Sequence, residues 1–276
     1  MASSAPFNEP IGFIGGGNMA SAIIGGLIRQ GLAPSQIRVV EPFETTRAAL
    51  VAQHGVRAEA SAGDFLQDAA LLVWAVKPQM FTEAAAPVKP FAGNAVHLSV
   101  MAGIRSDSIV GACGSDRVVR CMPNTPALVG KGMTALFATA GANEQDRSRA
   151  EQVIRTTGDA LWVEREEQLD AVTALSGSGP AYVFYFLEAM QQAGEQMGLS
   201  AAQARRLAVG TFDGASALAG ASPESLAVLR ERVTSKGGTT YAALTSMERS
   251  GMKEAFIRAM LAARDRAVEL GDEFGR

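Results

Sequence analysis

Cysteine, histidine and aromatic residues are scarce in this chain, and each scarcity removes a class of chemistry. Its two cysteines, Cys113 and Cys121, are too sparse for a disulfide framework, and the absence of any CxxC or Cys/His cluster leaves no metal-ligand spacing. Both read as reduced core thiols, and no metal is expected. The only histidines are His54, at a helix end, and His97, in an apolar strand pattern; with no nearby Ser/Asp pattern they do not suggest a hydrolytic triad. No apolar run approaches the ~20 residues of a membrane span. The opening MASSAPFNEP lacks the basic region and apolar stretch of a signal peptide. With a net charge of -3 and no prominent Lys/Arg run, neither nucleic acid nor a membrane is an expected partner. A soluble cytoplasmic protein is expected, with residues 1–9 as a flexible tail.

What the chain does have is glycine, 29 residues of it, and a 47% hydrophobic composition. Its 276 residues suffice for two domains with their own cores. From Ile11 to about Val163, short apolar runs alternate with amphipathic stretches: IGFIG, a helix over Asn18 to Gln30, IRVV, and a helix over Thr45 to His54. Further strands are expected at Leu71 to Val76, Ala95 to Met101, Arg117 to Met122, Met133 to Ala138 and Ala160 to Val163. This rhythm predicts an α/β fold with a Rossmann-type, doubly wound parallel sheet. Beyond Val163 the strand signals stop and helix formers recur at helical spacing, so the C-terminal part reads as all-α. The charged run Glu164 to Glu167 separates a domain over 1–165 from one over 166–276. Apolar residues at Tyr182, Phe184, Tyr185, Phe186, Leu187 and Met190 exceed what one exposed helix needs; they bury either within the subunit or against a second chain.

The run IGFIGGGNMASAI sets Gly15, Gly17 and Ala20 in the order GxGxxA, directly after a strand and at a helix start. Gly15 suits the tight turn, Gly17 the close approach of a pyrophosphate, and Ala20 the helix-strand packing, while Asn18 and Met19 supply backbone amides. A nicotinamide dinucleotide, NADPH or NADH, is therefore the expected cofactor. Glu41, at the end of the second strand, stands where a ribose 2′-hydroxyl is bonded, which leans toward NADH; with Glu41 turned away, Thr45, Thr46 and Arg47 would instead hold the 2′-phosphate of NADPH. Ala75, Val76, Lys77 and Pro78, beyond a strand's carboxyl end, are a candidate cofactor wall. Asn124, between Pro123 and Pro126, is placed either to bond the nicotinamide or its ribose or to shape a rigid turn.

Two further segments bear on a substrate. In SGSGPAY, a loop with Pro180 in the first turn of the following helix, Ser176 and Ser178 either contact a reactant or serve helix packing. In TSKGGTT, consecutive amides converge at a helix start, an arrangement that suits an anion and equally a helix cap.

Together GFIGGGNMA at 12–20, AVKPQ at 75–79, RCMPNTP at 120–126, SGSGPAY at 176–182 and VTSKGGTT at 233–240 resemble pyrroline-5-carboxylate reductase along nearly the whole chain. That resemblance implies a Rossmann domain followed by a helical substrate-binding and dimerisation domain, a homodimer that can assemble into a decamer, and reduction of 1-pyrroline-5-carboxylate to L-proline by NAD(P)H, the last step of proline biosynthesis. It implies that Ser235 and the amides of Gly237, Gly238 and Thr239 hold the substrate carboxylate, while the Thr240 hydroxyl faces the ring nitrogen as the proton relay. Glu41 departs from the basic or neutral residue of many members, which bears on cofactor choice. Two other protein classes share part of this pattern. A 3-hydroxyacid dehydrogenase-like enzyme needs a lysine on the helix after SGSGP, where this chain has Glu188, Gln191 and Gln192. A non-catalytic dinucleotide-binding regulator would keep the glycine loop without needing TSKGGTT.

Overall fold

The computed structural model describes residues 7–274, in two compact units: one formed by the chain up to Ser178 together with the segment from Ala263, the other by Gly179–Ala262.

In the first unit the order is β1 (Ile11–Ile14), α1 (Asn18–Arg29), β2 (Ile37–Val40), α2 (Glu44–His54), β3 (Arg57–Glu59), β4 (Leu71–Trp74), α3 (Phe81–Val88), β5 (Val96–Ser99), α4 (Ser106–Cys113), β6 (Val118–Met122), β7 (Gly132–Ala138), α5 (Glu144–Arg155), β8 (Gly158–Trp162) and α6 (Gln168–Val172). The eight strands form one sheet in the order β3-β2-β1-β4-β5-β6-β7-β8. The strands through β6 are mutually parallel. β1, β4 and β5 are buried along their whole length; β1 and β4 accordingly read as apolar runs rather than alternations, while β5 buries His97 and Ser99 among its apolar residues. One face packs Ile11, Phe13, Leu71 and Val73 against Ile23, Leu27, Val153 and Ile154; the other packs Leu72 and Trp74 against Phe81, Val88 and Ile109. Helices thus cover both faces, as in a doubly wound sheet.

Two features differ from expectation. The sheet is parallel only as far as β6: β7 pairs antiparallel to it, and β8 runs parallel to β7. The connection over 123–131 holds only a short 3-10 turn, Thr125–Val129, and a parallel crossover needs about a dozen residues or more, so the chain folds back beside the strand it has just left. The edge strand β3 has no apolar run to announce it, only Arg57, Ala58 and Glu59. The flexible tail expected over residues 1–9 does not extend to residues 7–9. Residues 1–6 lie outside the described residues, but Phe7 is buried in the main core and Glu9 accepts hydrogen bonds from Arg149 at 2.6 and 2.5 Å. An apolar ring and a paired carboxylate hold that end down.

The first unit continues past the charged run 164–167, because α6 packs against β6 and β7. Glu166 reaches back, accepting from the Ser106 amide at 2.7 Å and pairing with buried Arg120.

The second unit is helical: α7 (Gly179–Gln196), α8 (Ala201–Ala221), α9 (Leu226–Arg232), α10 (Thr239–Arg249) and α11 (Met252–Phe274), whose last turns belong to the first unit. Phe256 makes edge-to-face contacts with Tyr182 and Phe186, centroids 5.7 and 5.4 Å apart. Phe184, Tyr185, Leu207, Leu218 and Leu226 remain exposed on the single chain. No described helix is long and apolar enough to cross a membrane.

Candidate active site

The strand order reverses between β1 and β4, and ligands of open α/β sheets sit beyond the carboxyl ends of strands at such a point. Here that point joins the glycine loop to the AVKPQ segment. Ala75 donates its amide to Ile14 O at 2.8 Å, and Gly15 donates to Val40 O at 2.8 Å. Gly15 has φ +96°, and a Cβ there would meet Ala75 O at 2.6 Å, so the turn requires glycine twice over. α1 begins at Asn18 with Gly17 as its N-cap and no side-chain cap; the first helical bond runs from Ser21 N to Gly17 O. The amides of Asn18, Met19 and Ala20 therefore have no intrahelical acceptor, and a Cβ on Gly17 would meet nothing within 4 Å. An open approach to unsatisfied amides at a positive helix end fits a pyrophosphate. Ala20, in the first turn of α1, is fully buried.

Glu41 shows what sequence reasoning missed. Its carboxylate is buried and accepts from Gly16 N at 2.8 Å and from Phe43 N at 2.9 Å, tying the end of β2 to the glycine loop. A Cβ on Gly16 would sit 2.4 Å from Leu50 Cδ1 and 3.2 Å from Glu41 Oε2. The middle glycine of GGG, Gly16, beyond what GxGxxA needs, was the available signal. Arg47 folds back onto the same turn, donating to Glu41 O at 2.8 Å and Pro42 O at 2.9 Å. Of the remaining wall residues, Lys77 is exposed, while Ala75, Val76 and Pro78 are half-buried.

Asn124 uses both ends of its side-chain amide internally: Oδ1 accepts from Met133 N at 3.0 Å and Nδ2 donates to Ser176 O at 3.1 Å. The SGSGP segment is not the loop expected from its composition. Thr173–Gly177 forms a π-helical turn, closed by Ser178 N donating to Thr173 O at 2.8 Å, that runs almost directly into α7. Ser176 Oγ donates to Val172 O at 3.3 Å. Asn124, Ser176 and Ser178 are thus gathered in the first unit.

In the second unit, Gly237 has φ +74° and Gly238 is the N-cap of α10, again with no side-chain cap. Gly238 donates its amide to Ser235 O at 3.0 Å, and the first helical bond runs from Ala242 N to Gly238 O. The amides of Thr239, Thr240 and Tyr241 have no intrahelical acceptor. Ser235 and Thr239 are exposed and Thr240 is half-buried.

Behind the cofactor segments the chemistry is inert. Trp74 Nε1 donates to His97 Nδ1 at 3.0 Å, and burial, helped by the Arg117 charge, pushes the imidazole pKa down to about 4. Burial raises the Cys113 thiol to about 12, and raises Cys121 as well, so both are unreactive thiols. His54 shares a 2.8 Å hydrogen bond with Ser21 Oγ.

Comparison with known proteins supplies the reaction class. A family model for pyrroline-5-carboxylate reductase dimerisation matches residues 166–270, and one for NADP oxidoreductase coenzyme F420-dependent matches residues 10–103. Pyrroline-5-carboxylate reductase of Pseudomonas aeruginosa is 42% identical over 271 residues, 96% of this chain and 98% of the relative. The Escherichia coli reductase is 37% identical, covering 95% and 98%. Among solved structures, a pyrroline-5-carboxylate reductase from Coxiella burnetii superposes with a TM-score of 0.89 at 36% identity, over 96% of this chain and 99% of that one. The Plasmodium falciparum reductase, solved with NADP bound, gives 0.85 at 26% identity, over 97% and 100%.

Proposed function

The chain belongs to the pyrroline-5-carboxylate reductase family, reducing the C=N bond of 1-pyrroline-5-carboxylate to L-proline with NAD(P)H, and from this premise we propose which of its residues hold the reactants. The reduced nicotinamide, when bound, supplies the hydride; the chain's residues bind, orient and protonate. Asn18, Met19 and Ala20 amides hold the pyrophosphate against Gly15 and Gly17, with Ala75, Val76, Lys77 and Pro78 as the wall.

NADH is the preferred cofactor in this proposal. The observation that carries it is the Glu41 carboxylate, fixed by two backbone amides at the end of β2. It can turn away from a 2′-phosphate only by giving up both bonds, and Arg47, the alternative phosphate ligand, is engaged with two carbonyls.

The substrate carboxylate is held by Ser235 Oγ and the amides of Gly237 and Thr239; the Gly238 amide, expected in the same role, stabilises the turn through Ser235 O. The Thr240 hydroxyl hydrogen-bonds the ring nitrogen and relays the proton that nitrogen gains as the neighbouring carbon takes the hydride. Ser176 and Ser178 offer hydroxyls to the reactants. The helical half makes the protein a homo-oligomer; a homodimer, and a decamer of five dimers, is the proposed assembly, to be read from its mass in solution. A cytoplasmic location completes the proposal, supported by two buried thiols with no disulfide. The Thr240 role is tested by Thr240→Ala and Thr240→Ser under saturating cofactor: Ala lowers kcat and Ser restores most of it, whereas full turnover by Thr240→Ala removes the role.

A further inference from the structure

Asparagine before a helical turn ordinarily caps it, yet Asn124, at the N-cap of Thr125–Val129, makes no capping bond. Its side chain instead spans two distant segments, Met133 N, 9 residues on, and Ser176 O, 52 residues on. The second bond has a cause in the sequence. In a continuing α-helix the carbonyl of Ser176 would accept from the amide of residue 180, and residue 180 is proline, which has no N–H. That carbonyl accepts instead from Asn124 Nδ2. π-helical turns are rare and concentrate at functional sites, where the widened backbone re-aims side chains.

We infer that Asn124 is a positioning residue: by supplying the hydrogen bond that Pro180 withholds, it fixes the Thr173–Ser178 turn and so sets the Ser176 and Ser178 hydroxyls for the imine substrate. The inference rests on the proposed role of those two serines. Asn124 acts through them and touches no reactant, so its removal acts on the imine rather than on the dinucleotide.

The test is a double-mutant cycle of Asn124→Ala with Pro180→Ala in the full-length enzyme, measuring kcat and both KM values with 1-pyrroline-5-carboxylate and NADH. Pro180→Ala gives residue 180 an amide that can satisfy Ser176 O, making the Asn124 donor redundant. Asn124→Ala alone is expected to lower kcat/KM for the imine about tenfold, equivalent to about 1.4 kcal/mol, with the NADH KM within about twofold of wild type. In the Pro180→Ala background the same change is expected to cost less than about threefold, the shortfall being the coupling. Equal losses in the two backgrounds, or equal movement of both KM values, would overturn the inference. If Asn124→Ala does not fold, Asn124→Asp takes its place, keeping an acceptor for Met133 N and losing the donor to Ser176 O. Wild-type enzyme without imine-dependent turnover would instead count against the proposed function itself.

Discussion

Replacing Glu41 by glutamine removes a charge from the end of β2 while keeping a side chain that can still accept one of the two amide bonds, from Gly16 N or Phe43 N. Two unit charges 4 Å apart repel by about 1 kcal/mol in bulk water and about 4 kcal/mol near a protein surface. A 2′-phosphate of about two charges, somewhat farther off and screened by salt, therefore meets about 2 kcal/mol of repulsion from Glu41, roughly thirtyfold in affinity. NADH loses the difference between a charged and a neutral acceptor for its 2′-hydroxyl, about 1 kcal/mol or roughly fivefold. Loosening of the glycine loop weakens both cofactors alike and cancels in their ratio. The ratio of kcat/KM for NADH to that for NADPH should thus fall about a hundredfold in Glu41→Gln, and the wild-type preference should relax as ionic strength rises. Initial rates with each cofactor, at saturating imine and two salt concentrations, measure it. A ratio that moves less than about threefold would show that Glu41 holds the loop but does not read the ribose.

Other outcomes follow from the core. His97 must be unprotonated at Nδ1, because the Trp74 indole can only donate. With a folded pKa near 4 and an unfolded one near 6.5, its contribution is full above about pH 6.5 and is lost as pH falls toward 4, about 2 kcal/mol of it by pH 5. His97→Gln keeps an acceptor that does not titrate in this range, so urea midpoints at fixed protein concentration should fall less between pH 7 and pH 5 than in wild type; parallel falls would contradict this. Asp146 is fully buried beside Arg117, at 2.9 and 2.5 Å, and beside Arg149; burial alone would raise its pKa, but the bonds from Arg117 and the Asn143 amide, with both arginine charges, hold it below the usual carboxylate range. Asp146→Asn should cost on the order of 3 kcal/mol at neutral pH, and the deficit should narrow only below about pH 4, as the wild-type carboxyl protonates. A deficit that narrows already near pH 6 would point to another group. Gly158→Ala should unfold the β7–β8 edge, since φ is +151° and a Cβ would meet Gly132 O at 2.1 Å; a circular dichroism melt unchanged from wild type would refute that.

The parts of the fold that were legible in the sequence are those where burial dictates composition. β1 and β4, enclosed on both faces, read as apolar runs; Gly15 was identifiable because its positive φ and the nearby Ala75 carbonyl admit little else, and Gly17 and Ala20 by their spacing after it. β3 escaped because an exposed edge strand of three residues imposes no hydropathy pattern. The reversal at β7 escaped because strand direction is set by the length of the connecting segment, not by the strand's own residues. The glycines and serines of SGSGP read as a loop, whereas Ser176 and Gly177 end a π-helical turn and Gly179 begins α7. Single residues at the site were legible as candidates but not as partners: nothing local reveals that Glu41 reaches Gly16, or that Asn124 reaches Ser176.

The most direct measurement is the steady-state oxidation of NADH and of NADPH, side by side, by purified protein with racemic 1-pyrroline-5-carboxylate. Imine-dependent oxidation forming proline, with the larger kcat/KM for NADH, is the expected result. Folded protein that binds a reduced dinucleotide yet oxidises neither in the presence of the imine would contradict it, and would leave a dinucleotide-binding protein without turnover.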